Sequence, residues 1–214
     1  MQLSLSRVHF PITTLGPGRR LGIWFQGCSI RCPGCISADT WGPGHRRIVL
    51  HQLIADLQPW LSEADGITIS GGEPFDQFDA LFQLLTELRR LSPADILVYS
   101  GYSLEQLQPQ LHKANGLIDA LISDPYQQQR SQSMALRGSD NQRLSVLTNL
   151  GHERLASYER PLLPTDKALD LMFDDDGSIW MAGIPQRDDL LRLRDLLEDQ
   201  GHQLQLSAHT SRRR

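Results

Sequence analysis

The sequence predicts an α/β fold, a partial (open) β/α barrel of parallel strands followed by a hairpin–helix–strand extension. Apolar runs of strand length alternate with amphipathic helical stripes, and the runs end at turn-forming glycines or at Asp124-Pro125. Such alternation marks a parallel sheet with right-handed crossovers. Four strand units are too few for a closed barrel of eight, so the sheet is expected to stay open.

The first strand is Leu21 to Phe25, stopped by Gln26-Gly27. Leu50, Leu53, Ile54, Leu57, Trp60 and Leu61 then share one helical face. Gly66 to Ser70 is a β-branched second strand ended by Gly71-Gly72. Asp76 is the expected N-cap of a second helix, with Leu81, Leu84, Leu85, Leu88 and Leu91 as its core stripe. Ile96 to Tyr99 is the third strand, and Ser103 to Gln106 has the form of a capping box. Leu117 to Ile122 is the fourth, stopped by Asp124-Pro125. Gln127 to Leu144 is polar and weakly periodic, a long loop. Asp174 to Gly177, between Leu169–Phe173 and Ser178–Ala182, signals a hairpin rather than a calcium loop. A helix is expected from Arg187 to Gln200 with Gly201 as its stop, then an edge strand around Leu204 and Leu206. Residues 1–145 form the expected core and 146–214 an extension packed on it, ending in a solvated basic tail, Arg212 to Arg214.

The chain of 214 residues is 40% hydrophobic and 21% charged, with a formal net charge of −4. This balance suits a globular protein and gives no electrostatic reason to expect nucleic acid. Met1 to Arg7 lacks the pattern of a signal peptide, and no run of about twenty apolar residues suggests a membrane span. Cytoplasm is the expected compartment.

All three cysteines, Cys28, Cys32 and Cys35, fall in one loop with C-x3-C-x2-C spacing. Clustered thiols of odd number indicate metal or redox chemistry rather than disulfides. Thiolates suit iron–sulfur clusters and zinc alike. A cubane cluster needs one ligand for each of four irons. Its fourth iron would be left to a non-protein ligand or to a residue such as His45, and His45 could equally complete a zinc site. The loop leaves the C-terminal end of a strand, where α/β sheets bind ligands. Gly71-Gly72-Glu73-Pro74 follows the second strand. There, glycines allow close approach, and carbonyls and a carboxylate suit an ammonium group. Read alone, the segment is also an ordinary strand-to-helix turn.

The two motifs on adjacent strand ends resemble the radical S-adenosylmethionine (SAM) superfamily. The resemblance implies a [4Fe–4S] cluster on Cys28, Cys32 and Cys35, with SAM chelating the fourth iron and Gly71, Gly72, Glu73 and Pro74 receiving its amino group. It implies reductive cleavage of SAM to methionine and a 5′-deoxyadenosyl radical. Gly16-Pro-Gly18, Cys32-Pro-Gly-Cys35, Asp39-Thr-Trp41, Tyr99-Ser-Gly-Tyr102, Asp124-Pro-Tyr126 and Gly138 to Arg143 look like the activating proteins of anaerobic ribonucleotide reductase. Those proteins form a glycyl radical on a partner enzyme. Gly34 stands where many superfamily members carry an aromatic residue, so adenine contact falls to Ile36, Trp41 or Tyr99. Ser100, Asp124, Asn141 and Arg143 are the further expected cofactor contacts. No catalytic residue is expected beyond the cluster ligands.

Ser37 and the direct Asp124-Pro125 junction depart from the branch, as does the chain beyond Arg143. The extension leaves room for a small molecule or another protein as target. A non-catalytic zinc or iron–sulfur protein is the alternative of another class. With no further cysteine for an auxiliary cluster, electrons are expected from a flavodoxin or ferredoxin-type donor.

Overall fold

Sequence periodicity becomes architecture through a six-stranded sheet. A computed structural model describes residues 1–44, 47–166, 168–173, 179–186 and 189–201. Its strands are β1 (Gln2–Leu3), β2 (Leu5–Ile12), β3 (Arg20–Phe25), β4 (Ile48–Val49), β5 (Gly66–Gly71), β6 (Asp95–Tyr99), β7 (Ala120–Ser123), β8 (Arg143–Val146), β9 (Leu169–Phe173) and β10 (Ile179–Gly183). Its helices are α1 (Leu50–Leu61), α2 (Phe78–Leu91), α3 (Leu104–Lys113), α4 (Asn149–Leu155) and α5 (Asp189–Asp199). The main sheet has the order β2-β3-β5-β6-β7-β8. β3, β5, β6 and β7 are parallel, while β2 and β8 pair antiparallel at the two edges. Among the described residues, β1–β4 and β9–β10 form separate antiparallel pairs.

The apolar runs are continuous because both faces of the parallel strands are covered. On one face Leu21, Ile23, Phe25, Ile67, Ile69, Ile96, Val98 and Leu121 meet the buried stripes of α1, α2 and α3. On the other, Trp24 packs with Ile12, Met172 and Ala182, and Leu97, Ala120 and Ile122 pack with Leu136 and Leu155. The floor of the sheet is polar. Arg20 is fully buried and ion-paired to Asp95 at 2.8 Å, with its Nε donating to Thr68 Oγ1 at 2.7 Å.

The capping box opens α3 as the sequence predicts, with Ser103 and Gln106 bonded reciprocally. Asp76 differs from expectation. A 3₁₀ turn over Pro74–Gln77 precedes α2, Glu73 caps that turn, and Gln77 occupies the N-cap of α2. The carboxylate of Asp76 is claimed instead by the cysteine loop. β2, β8 and α4 were not expected, and the last falls beyond the stretch read as a loop.

The hairpin β9–β10 is present, and its inner face lies against β2 and β3. Asp170 accepts from Thr13 N at 2.6 Å, Thr13 Oγ1 at 2.9 Å and Thr14 Oγ1 at 3.0 Å. Trp180 meets His9 and Trp24 edge-on, with centroids 4.9 and 5.8 Å apart, and the Arg7 guanidinium lies 5.4 Å over its ring. Arg7 also pairs with Asp39. α5 covers most of the predicted last helix, and Gly201 follows it with φ 88°. The Asp174–Gly177 turn, His45, the Leu204–Leu206 strand and the basic tail lie outside the described residues. Among the described residues, no helix is long and apolar enough to cross a membrane.

Candidate metal centre

The cysteine loop begins where β3 ends and is closed by its own backbone. Gly27 N donates to Thr40 O at 2.7 Å, and Cys28 N to Trp41 O at 3.2 Å. A 3₁₀ turn over Ala38–Thr40 brings those carbonyls back to the strand end. Arg31 and Gly34 take left-handed conformations, φ 52° and 78°, within this loop, and the three sulfurs lie close enough to act on one another's charge. A Cβ at Gly34 would stand 2.7 Å from the Gln128 side chain, so an aromatic residue is not accommodated there without displacing that glutamine.

All three cysteines are free and partly buried. Among the described residues, no three His, Cys, Asp or Glu side chains converge tightly enough for a single metal ion. A cluster makes a different demand, one thiolate for each iron, and so does not need its ligands to meet at a point. Backbone N–H groups already face the sulfurs. Arg31 N donates to Cys28 Sγ at 3.5 Å, Tyr126 N serves Cys32, and Ser37 N serves Cys35. Burial raises the Cys32 thiol and pushes Cys35 up to about 11, and the neighbouring sulfurs repel further negative charge. Cationic iron is what would displace these protons. Soft donors and waiting N–H groups together fit an iron–sulfur cluster.

The neighbouring strand end locks this loop in place. Gly72 N donates to Phe25 O and Glu73 N to Gly27 O, both at 2.8 Å. A Cβ on Gly72 would lie 2.0 Å from the Gly27 carbonyl oxygen, so glycine is required for the two segments to touch. The glycines therefore serve backbone-to-backbone contact, whatever they do for a ligand. Glu73 is 1% exposed and accepts from Phe75 N at 3.0 Å, Ser100 Oγ at 2.9 Å and Gly101 N at 2.8 Å. Its carboxylate ties the ends of β5 and β6 together.

Burial pushes the Glu73 carboxyl from 4.5 up to about 7, against three hydrogen bonds that favour its charged form. A raised folded-state value gives stability that is complete below pH 4.5 and is lost as pH climbs through about 7. The loss amounts to about 3 kcal/mol. Denaturant melts of the metal-free chain should show it in the native protein and not in Glu73→Gln. Identical pH profiles for the two would disconnect this carboxyl from the effect.

The remaining expected contacts fall into two groups. Trp41 and Ser100 stand with the loop. Trp41 adjoins Cys35, and its buried indole N–H points toward that sulfur without reaching full hydrogen-bonding geometry. Asn141 donates through Nδ2 to Pro125 O at 2.8 Å, while its Oδ1 is buried and unpartnered. Tyr99 is turned into the interior, where its hydroxyl donates to Leu136 O at 3.1 Å and burial raises its phenol. Asp124 and Arg143 are spent on each other, at 2.6 Å, and Arg143 also grips Glu105 at 2.7 Å. Asp124 sits at φ 82°, a left-handed position rare for a residue other than glycine.

Sequence reasoning missed Asp76, Ser29 and Tyr102. Asp76 accepts from Ser29 N at 2.8 Å, Ser29 Oγ at 2.9 Å and Tyr102 Oη at 2.7 Å. This set ties the cysteine loop to the turn before α2 and to the end of β6. The available signals were a serine inside the cysteine motif and the place of Tyr102 in the Tyr99-to-Tyr102 segment.

Comparison with known proteins follows the same residues. The family described as a 4Fe-4S single cluster domain matches residues 14–145. The anaerobic ribonucleoside-triphosphate reductase-activating protein of Escherichia coli is 31% identical over 143 residues, covering 63% of this chain and 93% of the relative. Its counterpart in Vibrio cholerae is 32% identical over the same length, covering 63% and 92%. The pyruvate formate-lyase-activating enzyme of Listeria monocytogenes is 38% identical over 91 residues, covering 38% and 36%.

Proposed function

The chain belongs to the 4Fe-4S single cluster domain family, and from that premise we propose that it is a radical SAM activating enzyme. The observation that carries this is the cysteine loop, with its three free thiols, its N–H donors and its backbone lock to Gly72 and Glu73. In this reading the open sheet is a partial β/α barrel of the radical SAM type, residues 1–145 are the core, and 146–214 are an extension on it. Free cysteines and an oxygen-sensitive centre suit the cytoplasm.

Cys28, Cys32 and Cys35 would hold a [4Fe–4S] cluster, leaving one iron without a protein ligand for SAM. Once loaded, the site supplies one electron to the sulfonium, so that the bond to the 5′ carbon breaks into methionine and a 5′-deoxyadenosyl radical able to take a hydrogen atom from the target. Gly71, Gly72, Glu73 and Pro74 receive the amino group through their backbone, while the Glu73 carboxyl keeps that backbone in place. The unpartnered Asn141 Oδ1 accepts from a ribose hydroxyl. Asp124 and Arg143 act indirectly, by pinning the loop that carries Asn141. Ser100 acts through Glu73, and Tyr99 supports the floor of the site from inside. A flavodoxin or ferredoxin-type protein supplies the electron.

The target is a glycyl radical enzyme such as an anaerobic ribonucleotide reductase, as the names of the relatives suggest. Anaerobic reconstitution with iron and sulfide, reduction with dithionite and addition of SAM should yield 5′-deoxyadenosine. Adding the partner reductase should then yield a glycyl radical signal in electron paramagnetic resonance (EPR) spectra. A loaded protein that never cleaves SAM would end the reading. Cleavage without a glycyl signal would favour the second one, in which the same chemistry serves another protein or a small molecule. Residues beyond the family match, including the β9–β10 hairpin against the sheet, are what favour it.

A further inference from the structure

Trp41 is held by the loop it closes. Its N–H donates to Ala38 O at 3.2 Å, and its carbonyl accepts from Cys28 N at 3.2 Å. With both backbone groups engaged, the indole has a fixed origin, and its ring nitrogen lies in the interior beside Cys35. There the N–H is directed at the Cys35 sulfur and favours its charged form, but it reaches no acceptor at full hydrogen-bonding geometry. Leaving such a donor buried and unpaired is destabilising. A neutral thiol is a weak acceptor and cannot offset that cost, whereas an iron-bound thiolate carries the charge to do so.

We propose that Trp41 is a positioning residue that donates its indole N–H to the Cys35 thiolate of the loaded site and so raises the reduction potential of the cluster. This rests on the reading that the three cysteines hold a [4Fe–4S] cluster. A hydrogen bond to a cluster ligand stabilises the reduced, more negative state, and hydrogen bonds to the sulfurs are among the factors that set such potentials. Cys35 already receives Ser37 N, so the indole is a second donor to the same sulfur. The backbone carbonyl of Trp41 steadies Cys28 at the same time. One residue thus fixes the position of the first cysteine and the electronics of the third.

The test uses the full chain, reconstituted anaerobically, in native and Trp41→Phe forms. Phenylalanine keeps an aromatic ring and removes the N–H. At equal iron and sulfide content, an EPR-monitored redox titration without SAM should place the variant's midpoint lower. The reduced fraction at a fixed solution potential should fall roughly twofold to tenfold, the size of one lost hydrogen bond. An unchanged midpoint at full loading would overturn the proposal. If Trp41→Phe fails to load, native protein carrying indole-¹⁵N tryptophan decides. A ¹⁵N coupling to the reduced cluster that persists in Trp24→Phe supports the assignment, and absence of coupling overturns it. A native protein that takes up no labile sulfide would instead refute the cluster reading itself.

Discussion

Replacing Cys32 by alanine is expected to abolish cluster retention and, with it, all SAM cleavage above background. The reason is arithmetic as well as chemistry. The chain offers three cysteines, and under the proposed reading they serve a four-iron cluster in which only the iron bound by SAM goes without a thiolate. A second iron without a thiolate would have to take a weaker ligand than the soft sulfur it lost. Cys32 also reaches across the site, since its sulfur takes the N–H of Tyr126 from the segment after β7. Iron and labile sulfide after anaerobic reconstitution, with 5′-deoxyadenosine as the activity readout, check this. A Cys32→Ala protein that still makes the nucleoside would sink the assignment of all three thiols.

Gly72→Ala is expected to be nearly as damaging by a different route. The added Cβ would stand 2.0 Å from Gly27 O and 3.1 Å from Thr40 O, and neither is a side chain that can swing away. Either the end of β5 or the start of the cysteine loop must move, and the 2.8 Å bond from Glu73 N to Gly27 O is lost with the movement. The core packed between the sheet and α1, α2 and α3 does not depend on this contact, so the variant should still fold, at a cost of about 1–3 kcal/mol. The geometry of the ligand loop does depend on it. Disturbing the shell that orients ligands typically costs 10–100-fold in metal affinity. Thermal melts together with iron quantification separate the two effects. Full loading at native stability would show that the strand ends need not touch.

The elements legible in the sequence are those whose residues are used as their type suggests. Ile67, Ile69, Ile96 and Val98 are buried because an apolar run between two covered faces has no alternative. Leu81, Leu84, Leu85 and Leu88 repeat at helical spacing and meet that sheet. What escaped reading depends on long-range contact. β2 carries Arg7 and His9 among half-buried neighbours, and its strand character comes from pairing with β3. α4 is short and contains Gly151, which is there because a Cβ would lie 2.1 Å from Asp119 O. Arg20 looks like a surface charge until Asp95, 75 positions away in sequence, is placed against it. At the site, the cysteines could be read directly because their spacing is itself the signal. Asp76 misled because an acid before an apolar stripe is the usual mark of a helix cap. Its true partners, Ser29 and Tyr102, become neighbours only once the strand ends are aligned.

The Arg7 side chain lies between Trp180 of the C-terminal hairpin and Asp39 of the cysteine loop. Two stretches of chain far apart in sequence therefore share a partner. In evolutionary terms, neither can drift alone. A lineage that lost the hairpin would strip Arg7 of its aromatic cover, and one that changed Asp39 would leave a cation unpaired beneath Trp180. Positions 7, 39 and 180 should thus vary as a set among longer homologues, and position 7 should be freer wherever the hairpin is missing.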